Sequence, residues 1–165
     1  MEALSHDDQL HLDAAIGWIE LGNHLEADAE VENITATYRM HPDVLEARWG
    51  IYAAAKKWDA CFDIATTLTQ NVSERVNGWL YLATTLRNMN ETEKACSTLE
   101  DVAGAFNDNP EIPYEIACLL CDLGHLRDAL DWLTKAFANG ELKKLKLVAL
   151  DEPRLQPLWE KIGQL

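Results

Sequence analysis

Apolar side chains along this chain recur at offsets of three, four and seven residues, the spacing that places them on one face of a helix. The helical stretches come in pairs. If the chain is divided into windows 8–41, 42–75, 76–109 and 110–143, apolar or small residues fall at most of positions 4, 7, 8 and 11 and again 17, 20, 24 and 27, with His11, His24, Arg48 and Thr92 the exceptions. Each window therefore predicts two amphipathic helices. The predicted breaks lie at the fifteenth position, where Gly22, Asn90 and Gly124 can take a positive φ and turn the chain; Lys56 is the exception. Pro42 and Pro110 open the second and fourth windows as first-turn prolines, and Asn109 is the expected N-cap of the latter. No strand-like alternation and no Gly/Ser-rich linker interrupts the pattern.

The windows are also repeats of one another. Leu21-Gly22-Asn23-His24-Leu25-Glu26-Ala27 returns as Leu123-Gly124-His125-Leu126-Arg127-Asp128-Ala129, a displacement of 102 residues and so three periods of 34. The eighth positions are Ala15, Trp49, Ala83 and Ala117, and the twentieth are Ala27, Cys61, Ala95 and Ala129. Small residues at these two places are what close helix crossing requires, since a bulky side chain there overpacks. Trp49 breaks the rule. The run Ala53-Ala54-Ala55, with the small Ala65, reads as the space that accepts its indole.

On these residues the chain resembles the tetratricopeptide repeat family over 8–143. The resemblance implies an all-α fold: an α-solenoid of four helix–turn–helix repeats in a single domain spanning 1–165. Residues 144–165 are expected to cap it, through Leu142, Leu145 and Ala149 on one short helix and Leu155, Leu158, Trp159 and Ile162 on the next. The passage from Ala149 to Leu158 resembles the closing segment of bacterial arrays of this family, and with it comes the expectation of a bacterial protein.

Function in such arrays lies on the concave groove, lined by the first helix of each pair. The resemblance assigns to it Leu12, Ile16, Ile19, Ala47, Tyr81, Arg87, Asn88, Tyr114, Cys118 and Cys121. Family members that hold the C-terminal carboxylate of heat-shock chaperones use lysines, an arginine and asparagines. The corresponding places here are Leu12, Ile16, Gly50, Asn77 and Tyr81, so a carboxylate clamp is not expected. An amphipathic helix or an extended peptide with apolar anchors suits the groove better. The competing reading is that the apolar residues pack against a neighbouring repeat.

Charge narrows the partner. With 14 basic residues against 28 acidic ones the net charge is −14, which disfavours nucleic acid and anionic membrane. No stretch approaches the length of a membrane span, and the acidic start of the chain lacks the basic and apolar regions of a secretory signal, so a cytoplasmic home is expected. Lys143, Lys144 and Lys146 are the single basic cluster, read as a solvated helix face.

Candidate chemistry is sparse. Cys118 and Cys121 form a C-x-x-C with His125 nearby, but no second ligand pair completes a zinc site, and the strand-then-helix setting of a redox motif is missing. Neither the histidines nor the paired carboxylates have catalytic spacing. The expectation is a non-enzyme without cofactor or metal: a scaffold, monomeric or weakly self-associating, that binds a protein or peptide. An alternative is a small acidic bacterial chaperone for a secreted or assembling client. A third reading is a thiol or metal protein centred on Cys118 and Cys121.

Overall fold

The computed structural model describes residues 3–164, and every regular element among them is helical. The order is α1 (His6–Glu20), α2 (His24–Asn33), α3 (Pro42–Ala54), α4 (Trp58–Asn71), α5 (Val76–Asn88), α6 (Thr92–Ala103), α7 (Glu111–Asp122), α8 (Leu126–Asn139), α9 (Leu142–Asp151) and α10 (Trp159–Gln164), with a 3-10 segment over Pro153–Leu158. The chain divides into two compact units, Met1–Thr85 and Leu86–Leu165, the division falling within the sequence of α5.

Local chemistry explains where the helices start. Ser5 caps α1 by accepting the Asp8 amide at 3.2 Å. Its hydroxyl donates to Asp8 Oδ2 at 2.5 Å, and Asp8 Oδ1 accepts the Thr35 amide at 2.7 Å. The Ser5 hydrogen bond, followed by that from Thr35, holds the Asp8 carboxyl below its ordinary range. Pro42 opens α3 with His41 as its cap, and Asn109 Oδ1 accepts the amides of Glu111 at 2.8 Å and Ile112 at 3.2 Å, the expected cap of α7.

Each first helix ends in the same way. Gly22, Lys56, Asn90 and Gly124, spaced 34 apart, have φ of 75°, 56°, 64° and 80°. In each case the amide of this left-handed residue bonds the carbonyl three residues back, and the next amide bonds the carbonyl five residues back: Gly22 to Ile19 and Asn23 to Trp18, Lys56 to Ala53 and Lys57 to Tyr52, Asn90 to Arg87 and Glu91 to Leu86, Gly124 to Cys121 and His125 to Leu120. This is the Schellman closure, which satisfies carbonyls the helix end would otherwise leave bare. Lys56, the exception in sequence, is no exception in backbone. The hairpin imposes the conformation on a side chain that disfavours it.

In the N-terminal unit Leu12, Ala15, Ala27, Val31, Ile34, Val44, Ala47 and Ile51 form one buried cluster, with Trp18, Ile19 and Tyr52 packed on it. A second joins Leu45, Leu68 and Val72 to Ile64 and Tyr81. Seven of the eight small-residue slots hold small residues, and all seven are fully buried. Trp49 occupies the eighth. Its indole stacks on the Tyr81 ring, with centroids 4.1 Å apart at 14°, and its Nε1 donates to Thr85 Oγ1 at 3.1 Å. The hydroxyl of Thr85 donates in turn to the Tyr81 carbonyl at 2.7 Å. A stacked ring and a partner for the indole N–H fix where the side chain goes.

In the C-terminal unit α7 and α8 pack around the fully buried Ala117 and Ala129, with Ile112, Ile116, Leu119 and Leu133. The closing segment behaves as a cover: Ala149, Leu155, Leu158 and Ile162 are fully buried, and Trp159 Nε1 donates to the Ala149 carbonyl at 3.1 Å. Leu142, expected on the covered face of α9, is instead exposed.

Candidate functional site

The face expected to form the groove in the N-terminal unit is carried by α1, α3 and the first part of α5. Ile16 stands out from α1 with 43% of its surface exposed, while Ile19 is partly buried, with its Cδ1 lying 3.5 Å from where a side chain on Gly50 would begin. Beyond it, Arg75 Nη1 bonds Asp43 Oδ1 and lies 3.2 Å from Glu46 Oε1, and Asn77 Nδ2 donates to Glu46 Oε2 at 2.8 Å. The bond to Asp43 is the main reason the Arg75 guanidinium is held more firmly protonated than usual. Tyr81, with one ring face on Trp49, has its phenol pushed up to about 12 by burial and then by the charge of Glu46. It stays a neutral hydroxyl at physiological pH. Ile16 and Ile19 of α1 and Tyr81 of α5 are thus only partly covered, and α3 and the start of α5 share a polar network carrying two carboxylates and one guanidinium.

The inner face of the C-terminal unit is closed instead. Arg154, from the 3-10 segment, forks onto Glu115 of α7, Nη1 to Oε1 at 2.6 Å and Nη2 to Oε2 at 2.9 Å, while its Nε donates to Glu152 at 3.2 Å. Burial works against the Arg154 charge, but Glu115 and Glu152 outweigh it and raise its pKa. Burial likewise pushes the Tyr114 phenol up, and its hydroxyl is sequestered with no hydrogen-bond partner among the described residues.

Several residues assigned to the groove are corrected by these observations. Leu12 and Ala47 are buried in the core cluster of the N-terminal unit, because an apolar side chain at the margin of a helix face turns inward where the neighbouring helix leaves room. Cys118 and Cys121 are buried too. Burial drives the Cys118 thiol strongly up and the Cys121 thiol to about 11, which disfavours the thiolate that attacks electrophiles. Among the described residues no group of three or more His, Cys, Asp or Glu side chains converges as a metal site. Arg87 and Asn88 sit partly buried on the last turn of α5. The charge of Arg87 is felt by Asp122, whose carboxyl is nonetheless raised by burial. Sequence reasoning missed Arg75, Trp49, Thr85 and Arg154 as members of the two inner faces. A signal existed for Arg154, the one base between Ala149 and Leu158, following directly on Asp151, Glu152 and Pro153.

No protein-family model matches the chain, and no curated protein does. Solved structures do. MamA MSR-1 C2 is similar with a TM-score of 0.63 at 18% identity, over 83% of this chain and 79% of that one. MamA AMB-1 P212121 is similar with a TM-score of 0.62 at 17% identity, over 96% and 91%. PcrH in complex with the chaperone binding region of PopB gives 0.55 at 19% identity, over 80% and 97%. The fold is the all-α solenoid of helical hairpins. At these identities the likeness shows architecture alone. No described helix is long and apolar enough to cross a membrane.

Proposed function

We propose that this protein is a non-catalytic interaction scaffold that takes an apolar-anchored segment of a partner protein, a helix or an extended peptide, on the inner face of its N-terminal unit. The observation that carries the reading is the contrast at equivalent positions of the repeat: Ile16 is open, whereas Cys118, three periods on, is fully buried. Ile16, Ile19 and Tyr81 would supply the apolar anchors, and Asp43 and Glu46 would favour a partner with basic residues beside its apolar ones. Four buried free thiols suit a reducing compartment such as a cytoplasm.

A second reading, a chaperone dedicated to one client, is favoured by the similarity in fold to PcrH, which was solved with the chaperone binding region of PopB. It uses the same face and differs in what the partner does when left alone.

The test is a pull-down from native lysate with wild type, Ile16→Glu and the exposed-site control Asp101→Lys, each first shown to have unchanged helical circular dichroism. The expected result is a specific band retained by wild type and Asp101→Lys and lost with Ile16→Glu. A band that survives Ile16→Glu contradicts the assignment of this face. A client that is insoluble without this protein would favour the chaperone reading.

A further inference from the structure

The 34-residue register identifies one face that the first hairpin leaves open. The third positions of the windows are Leu10, Val44, Gly78 and Ile112, and the tenth are Gly17, Ile51, Thr85 and Leu119. In the last three windows every one of these is buried. They lie against the preceding hairpin: Val44 and Ile51 join the cluster of Leu12 and Val31, Gly78 lies close to Leu68, and α7 packs on α6. In the first window the same face is bare. Leu10 is 55% exposed, a side chain added to Gly17 would meet nothing within 4 Å, and Leu21, on the same stripe, is 76% exposed. Leu10, Ala14, Gly17 and Leu21 follow one another at helical spacing, and the exposed carboxylates Asp7, Asp13 and Glu20 flank them.

Among the described residues, α9 carries a surface of complementary chemistry. Leu147, 71% exposed, and Leu150 lie one turn apart on α9, with Lys143, Lys144 and Lys146 around them. In a protein of net charge −14 this is the one basic cluster in the sequence. We infer that α9 of one copy docks on the Leu10–Leu21 stripe of α1 of a second copy. The leucines of α9 cover the shelf at Ala14 and Gly17, and its ammonium groups meet Asp7, Asp13 and Glu20. The many acidic surfaces elsewhere repel between copies, which selects this pairing over others.

The test is sedimentation velocity of the full chain from low to high micromolar concentration, at low and at high salt. The expected result is a mass that rises with concentration and falls back with salt, because exposed charge pairs are screened. Leu10→Asp and Leu147→Asp, both at exposed positions, should each leave a monomer, while Ile16→Glu should self-associate as wild type does, which separates this contact from the partner face. Lys143→Glu/Lys144→Glu/Lys146→Glu and Asp7→Lys/Asp13→Lys/Glu20→Lys should each be monomeric alone and associate when mixed in equal amounts. Monomer at every wild-type concentration overturns the inference. So does association indifferent to these changes, or a monomer whose α9 lysines instead bind phosphatidylglycerol vesicles.

Discussion

Replacing Ala129 by leucine is expected to destabilise the C-terminal unit by about 1–3 kcal/mol, because the new side chain has no void to enter. Ala129 is fully buried on α8, which packs on α7, where the equally buried Ala117 fills the matching slot. Close crossing of the pair depends on methyl groups at these two places. Urea unfolding followed by circular dichroism checks it, with Ala138→Leu as control, since Ala138 lies exposed on the same helix. The control should stay within about 0.5 kcal/mol of wild type. Equal stability of Ala129→Leu and Ala138→Leu would mean that the helices do not nest there.

Removing Arg154 should have an effect of similar size through electrostatics. Glu115 is mostly buried under the guanidinium that forks onto it, so Arg154→Ala leaves a carboxylate poorly hydrated and unpaired. Residual solvent access on both partners moderates the loss to about 1–3 kcal/mol. Glu115→Gln in the Arg154→Ala background should recover part of it, and a double-mutant cycle isolates the pair. An additive cycle would contradict the coupling. Acidification reads the same cluster. Burial pushes the Glu152 carboxyl up, but hydrogen bonds from the Arg154 amide and side chain, with the Arg154 charge, outweigh it and hold it below its ordinary value of 4.5. A lowered carboxylate contributes stability that is present above the unfolded value and is lost as pH falls through the folded one. Wild type should therefore lose more stability than Arg154→Ala as pH falls below about 4.5.

The fold was legible because its constraints recur. Small residues where helices cross and φ-permissive residues where they turn are local demands, repeated often enough for the period to emerge from one sequence. The same demand hid at Lys56, where neighbouring hydrogen bonds fix the backbone and the side chain gives no sign of it. The partners of Trp49 are hidden for a different reason. Its partners Tyr81 and Thr85 lie in the next window, and a repeat pattern records which slot is filled without recording where an oversized occupant turns.

The candidate site was less legible. Assigning an inner face by position treats each repeat alike, yet at the fifth position Leu12 sinks into the core while Glu46 remains partly exposed among polar partners. The closing of Tyr114 and Cys118 depends on Arg154, 39 residues beyond Glu115, and a contact made once leaves no periodicity to find.

One hairpin closure, repeated every 34 residues, shapes this chain even where the sequence does not ask for it. The direct measurement is the intraresidue amide-to-Hα nuclear Overhauser effect at Lys56 in the labelled protein, compared with Asn90 as the second non-glycine position. A left-handed residue brings these two protons close, and a right-handed helical one does not. A strong effect at Lys56, matching Asn90, is the result predicted by φ of 56° and 64°. A weak, helix-like effect at Lys56 beside a strong one at Asn90 would contradict the claim.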